Sequence, residues 1–286
     1  MKNYREMGEV DLKLQLLSGS DIRVDDAVVI SPYTIDEIRE YGYSEYMGNL
    51  QWLSLTVEDF VSSVLDLEKR VMLEVEKSKL KAFDFYVKLG GQEMLDGLIS
   101  ALGMVFKTDD VKLISDGLVA IDFEKLGIVF EGEDDKYYLN EDKLDEVPAT
   151  ELKFVHRDNF DEIVEIVKTQ NYLTKPIEKI NGSNPADEET KKLMEHMENM
   201  RNKVNEKKRL QKEMDGESDN IDISDIISSV TAKSNSIDKF NVWSLTLYQL
   251  YDEYARLELI DNYDFSIRAM MAGAEKIDLK HWSSRI

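Results

Sequence analysis

The sequence predicts a mainly α chain with a small β-meander, an α+β arrangement of helical N-terminal domain, long charged helix and C-terminal helical hairpin. Three observations carry this. Charged residues make up 33% of the 286 positions and prolines number only 4, which favours long helices over a turn-rich β-sandwich. Apolar residues recur three and four apart through most of the first half and again from Trp243 onward. Only between Val111 and Leu139 does the pattern change to short β-branched and aromatic runs. Proline and glycine clusters divide the chain into residues 1–173, 174–220 and 221–286.

The opening stretch to about Ile30 reads as irregular and extended, ending in a short strand at Val28-Val29-Ile30 that stops at Ser31-Pro32. Thr34 and Glu37 have capping-box spacing and open a helix through Tyr41. A second helix covers Ser44 to Leu53. Thr56 starts a third, along which Phe60, Val61, Val64, Leu65 and Leu67 recur at helical spacing. Lys79 to Leu89 repeats the pattern until Gly90-Gly91 breaks it, and Glu93 to Phe106 resumes it. A small β-meander or hairpin is expected from Val111 to Leu139. Asp158 then caps a helix to Gln170 with Phe160, Ile163, Ile166 and Val167 on one face. A linker runs from Thr174 to Pro185, followed by a highly charged helix from Ala186 to Met214 whose apolar residues are too few for burial on all sides. Asp222 starts a short helix through Lys233.

Chemistry is sparse. With no cysteine, disulfides, thiolate catalysis and cysteine-ligated zinc are all excluded. The three histidines, His156, His196 and His281, have no metal-ligand spacing. The acidic run from Glu131 to Glu146 lacks the alternating carboxylates and central glycine of a calcium loop, and reads as a solvated turn. Gly90-Gly91 has neither a phosphate-binding lysine nor dinucleotide spacing. The expectation is a non-enzyme with no catalytic residue, no cofactor and no metal. A net charge of −22 opposes binding to nucleic acid and to anionic membranes. The basic stretch Arg201 to Lys212 is interleaved with glutamates and has no stacking aromatics, so it reads as a solvated face. The absence of cysteine makes a cytoplasmic location the expectation, and the opening residues contain no apolar signal core.

The clearest periodicity lies near the C-terminus. Trp243, Leu247, Leu250, Tyr254 and Leu257 line one helical seam, widened by Tyr248 and Tyr251. After Asp261-Asn262 a second helix, from Phe265 to Ala274, is expected to complete a hairpin. Such a seam serves either as a core or as a docking face; aromatic residues with a polar handle suit partly buried contacts. The candidate partner-binding residues are Trp243, Leu247, Leu250, Tyr251 and Tyr254 on the seam, with His281 and Trp282 on the tail.

Particular words in this region carry a resemblance. Asp225-Ile226-Ile227-Ser228-Ser229, Ala232-Lys233-Ser234-Asn235-Ser236 and Asn241 to Gln249 are followed by Asp264, Ile267-Arg268, Ala272-Gly273-Ala274 and Leu279-Lys280-His281-Trp282. Together they resemble a family of bacteriophage and prophage proteins from tail gene clusters of phages infecting Gram-positive bacteria, often labelled tail assembly chaperones. Ile30-Ser31-Pro32-Tyr33-Thr34 with Glu37-Ile38 is similar to that family's opening, with serine in place of an expected second proline. The resemblance implies a non-catalytic assembly factor in the host bacterial cytoplasm, with the tape-measure protein or other tail proteins as partners and a homo-oligomer left open. The competing readings are a structural tail or baseplate component, an acidic DNA mimic that blocks a host defence, and an enzyme of unfamiliar type.

Overall fold

Thr34 and Thr246 lie far apart in sequence, yet they start their helices side by side. A computed structural model of the chain, describing residues 2–64, 66–114, 117–132, 136–173, 221–273 and 279–285, bridges these two threonines and places the Ile35 amide on the Leu245 carbonyl at 2.8 Å. Each threonine accepts from the amide three residues on, and each partner side chain (Glu37 or Gln249) returns to the threonine amide. These capping boxes satisfy amide donors that a helix start would otherwise leave unpaired.

Short helices make up most of the N-terminal part. α1 (Glu9–Ser18) replaces the irregular opening expected from the sequence. It buries Leu12 and Leu16 one turn apart and ends at Gly19, in a left-handed conformation. β1 (Ile22–Arg23) and β2 (Val29–Ile30) form a two-stranded antiparallel ribbon. α2 (Ile35–Tyr41) and α3 (Tyr43–Ser54) follow at Gly42. The helix expected from Thr56 is two helices, α4 (Val57–Ser63) and α5 (Leu67–Glu76), because the chain is extended at Val64. α6 (Ala82–Asp84) runs into a wide turn at Phe85–Leu89, and α7 (Gly91–Phe106) begins beyond Gly90.

The small β-meander or hairpin expected from Val111 to Leu139 is present as two antiparallel sheets, joined by a bridge between Ile114 and Tyr137. β3 (Val111–Leu113), β4 (Val119–Ile121) and β7 (Lys153–Val155) form an antiparallel sheet in the order β3-β4-β7. α8 (Phe123–Leu126), the hairpin of β5 (Val129–Glu131) and β6 (Tyr137–Leu139), and α9 (Glu141–Leu144) are inserted before β7. All three β4 residues are buried, as suits a central strand. α10 (Phe160–Gln170) presents Phe160, Ile163, Ile166 and Val167 to the core. Its N-cap position is Asn159 rather than Asp158, and the Asn159 side chain bonds the His156 amide and the Phe154 carbonyl. The expected linker, the charged helix from Ala186 to Met214 with its basic stretch, and His196 lie outside the described residues.

α11 (Ile223–Lys233) and α12 (Leu247–Met271) pack together near the C-terminus. The hairpin break expected at Asp261-Asn262 is not there: α12 continues through both residues as one helix. Leu247 and Tyr248 belong to the main core with α3, α7 and α10, while Leu250 joins Ile35, Ile226, Val230 and Val242 in a second cluster.

A polar network ties the three-stranded sheet to α8. Asp122, held left-handed at φ 64°, accepts from the Thr108 hydroxyl at 2.7 Å, Lys125 Nζ at 2.8 Å and Lys153 Nζ at 2.9 Å. Burial opposes its ionisation, but those three donors outweigh burial and hold the carboxyl down at about 2. A depressed carboxyl contributes stability that is complete above its unfolded pKa, about 4, and is lost as pH falls toward the folded value. Asp122→Asn keeps a residue that tolerates the left-handed backbone. It should cost about 1 kcal/mol near neutral pH, after discounting for partial solvent exposure, and flatten the acid limb of stability below about pH 4. Urea midpoints measured across pH check both effects.

Candidate functional site

The C-terminal region is assembled from two capped helices and the turn between them. Asp222 accepts from the Ser224 hydroxyl at 2.6 Å, which lowers its pKa most, and from the Asp225 and Ser224 amides at 3.1 and 2.8 Å, which lower it further. α11 then turns Ile226 and Val230 inward, with Ile223 and Ile227 partly covered. Asp238 and Asn241 bond within the connecting turn, setting Val242 fully inside and Trp243 partly inside. The Trp243 indole N–H donates to the Lys239 carbonyl at 2.8 Å.

The seam from Leu247 is therefore spent mostly within the chain. Leu247 and Leu250 are buried, so these two candidates are core residues rather than parts of an exposed docking face. Tyr251 stacks on Tyr172 with ring centroids 5.3 Å apart, and Tyr248 meets the same ring edge-on at 5.5 Å. Trp243, Tyr251 and Tyr254 all pack on the second cluster while remaining partly exposed. Gln249 completes the junction by donating from Nε2 to the Leu17 carbonyl of α1 at 2.8 Å. Beside it, burial raises the Asp252 carboxyl above its ordinary value, against the opposing charge of Arg256.

Beyond Leu250 no residue of α12 is buried. At 25 residues the helix is about 37 Å long, so its final ten residues extend about 15 Å past Asp261. There Phe265 is 74% and Met271 84% exposed, with Met270 about half exposed. The tail returns to this helix: Arg256 donates to the Trp282 and Ser284 carbonyls at 2.8 and 2.9 Å. The His281 ring meets Tyr263 at 5.3 Å, and Arg285 pairs with Glu9 on α1. Bonds from the Arg256 guanidinium to tail carbonyls thus hold the tail in place while Trp282 stays 47% exposed.

The structure separates the seven sequence candidates by environment. Leu247 and Leu250 are internal; Trp243, Tyr251 and Tyr254 lie at the partly covered margin; His281 and Trp282 are exposed. Phe265 was missed as a surface residue, although its exposure exceeds that of every seam residue. The available signal was apolar residues on all sides of a helix end flanked by Asp261, Asn262, Asp264 and Arg268.

Other candidate chemistry finds no geometric support among the described residues. No group of three or more histidine, aspartate or glutamate side chains there could hold a metal ion. His156 Nδ1 accepts from the Asp158 amide at 3.2 Å, a local turn contact. Glu133-Asp134-Asp135 of the acidic run lies outside the described residues. No helix among the described residues is long and apolar enough to cross a membrane.

Residues 211–286 match the family model of the YomV second domain. That family is phage-associated, which supports a phage origin for the chain. The match spans about a quarter of the sequence and takes in α11, α12 and the tail. No curated protein and no solved structure matches the chain.

Proposed function

We propose that this chain is a non-catalytic phage tail assembly chaperone that holds the tape-measure protein, or another tail component, during virion assembly. The observation carrying this reading is the projecting end of α12, where Phe265, Met270 and Met271 stand exposed with Trp282 on the adjoining tail. Methionine adapts to irregular apolar partners, and aromatic residues and methionine are enriched in protein interfaces relative to the rest of the surface. A net charge of −22 keeps such a surface soluble between partners. The phage-associated match over residues 211–286 covers this same surface.

The test is affinity capture from cells producing phage. The wild-type chain should recover a tail protein, while Phe265→Asp combined with Trp282→Ala should lower recovery by about ten-fold or more. Because both side chains are solvent-exposed, the thermal midpoint should stay within about 2 °C of wild type. Mass spectrometry of purified virions separates the two assembly readings: absence of the chain fits a chaperone, and stoichiometric presence fits a structural tail component. Capture of a host defence nuclease instead, released by salt, would favour the DNA-mimic reading.

A further inference from the structure

α12 leaves one face open where α11 stops. At about 100° of turn per residue, Leu250, Tyr254, Leu257, Asp261, Phe265 and Arg268 fall within about 80° of one another around the helix. α11 covers the first part of this line. Leu250, Tyr254 and Leu257 share a cluster with its Ile226 and Val230, and Lys233, its last residue, pairs with Asp261. Phe265 and Arg268 continue the line past that point, and both are exposed. The described tail residues meet α12 at Arg256 and Tyr263, on the opposite side of the helix.

The charges along this line make it complementary to itself. Asp261 and Asp264 precede Phe265, and Arg268 follows it. Suppose a second copy of the helix lies antiparallel, with Phe265 against Phe265. At a rise of about 1.5 Å per residue, Arg268 then stands about 1.5 Å along the axis from the other copy's Asp261 and about 3 Å from its Asp264. Two-fold symmetry makes each contact twice. Met271 comes about 3 Å along the axis from the other copy's Leu257, close to where α11 ends. A parallel pair would instead set Asp261 against Asp261 and Arg268 against Arg268, which like-charge repulsion opposes.

We propose that the ends of two α12 helices pair antiparallel in a two-fold dimer, with Phe265 packed on Phe265 and Arg268 paired with the other copy's Asp261 and Asp264. This goes beyond the assembly reading: it is the state of the chain with no client bound, and a client of the same surface competes with it. The overlap from Asp261 to Met271 is three turns, about 16 Å. Contacts this small are weak, so a dissociation constant of about 10–100 μM is expected. A net charge of −22 on each chain opposes the approach. At about 0.15 M salt the Debye length is about 8 Å, so charges beyond the contact are largely screened.

Sedimentation equilibrium of the purified full-length chain, at about 0.15 M salt and about 1–300 μM protein, tests this. Wild type should show a reversible monomer–dimer equilibrium. Phe265→Asp, Arg268→Asp and Asp264→Arg should each weaken it about ten-fold or more, the first by removing the apolar centre and the others by setting like charges face to face. Mixing the Arg268→Asp and Asp264→Arg chains in equal amounts should restore pairing to within about three-fold of wild type, because the two reversed charges then face each other. Trp282→Ala, on the tail, should leave the equilibrium unchanged. All four substituted positions are exposed, and an unchanged thermal midpoint checks that each variant is folded. A chain that stays monomeric overturns the proposal, as does a dimer that persists in Arg268→Asp or one that mixing does not restore. Client capture does not enter this readout, so a failure here leaves the assembly reading standing, and a failure of capture leaves the dimer standing.

Discussion

Leu250→Ala should destabilise the protein by about 2–5 kcal/mol, the range for removing a leucine side chain from a core that relaxes only in part. Leu250 is 0% exposed and stands where three parts of the chain converge. Ile35 comes from α2, Ile226 and Val230 from α11, and Val242 from the turn before α12. The resulting cavity would lie between the C-terminal helices and α2, so the weakened contact includes the docking of one region on the other. Urea unfolding measures the loss, and hydrogen exchange at the Ile35 amide, which donates to the Leu245 carbonyl, reports that junction directly. Trp282→Ala is the contrasting variant and should stay within about 0.5 kcal/mol of wild type, as surface substitutions usually do. If Leu250→Ala left the unfolding midpoint unchanged and abolished partner capture, the seam would be a docking face after all.

That contrast shows how far periodicity reaches. It puts Trp243, Leu247, Leu250, Tyr254 and Leu257 on one apolar stripe, although Trp243 lies in the turn before α12, and a stripe facing its own chain has the same spacing as one facing a partner. The structure separates them by what arrives opposite: Tyr172 against Tyr248 and Tyr251, and α11 against Leu250. These contacts join residues far apart in sequence, so no local window contains them. The exposed α12 end was illegible for a related reason. Asp261 and Asn262 resemble a break, yet both are exposed, where their weaker helix propensity costs only fractions of a kcal/mol each. Lys233 pairs with Asp261 from α11 and supports the helix across that point.

Helix starts were legible because capping is local. Thr34, Thr56 and Asp222 each have their capping partner three residues on, and all three boxes form; Thr246 with Gln249 forms a fourth, which a seam read from Trp243 passes over. α1 shows the opposite case. Val10, Leu12, Leu14 and Leu16 alternate with polar residues, a strand-like pattern, yet the segment is helical. Only Leu12 and Leu16 are buried, while Val10 and Leu14 face solvent. Tertiary packing of one face decided the conformation against the local period. β7 is a different kind of miss: its three residues are too few to show any period, and they join the sheet by pairing with β4.

Gly97→Ala sets two effects of similar size against each other. In an open helix the change gains up to about 1 kcal/mol, because alanine has the higher helix propensity. Gly97 is buried in α7, however, and a Cβ built there would lie 2.5 Å from Cδ2 and 2.7 Å from Cε2 of Trp52 on α3. Those atoms belong to a rigid bicyclic ring, so the indole must rotate or the two helices must part. Overpacking of this kind costs about 1–3 kcal/mol, and the α3–α7 contact is among the most extensive helix pairings in the fold. Moving Trp52 also disturbs its backbone carbonyl, which accepts the buried Tyr86 hydroxyl. Packing should therefore win, with a net loss of about 1–2 kcal/mol in urea unfolding. Replacing Trp52 with leucine in the same chain tests the cause, because it removes the atoms that the new methyl meets. In a double-mutant cycle Gly97→Ala should then turn neutral or stabilising, with a coupling of about 1–3 kcal/mol. An additive result would place the cost of Gly97→Ala in the α7 backbone rather than against the indole.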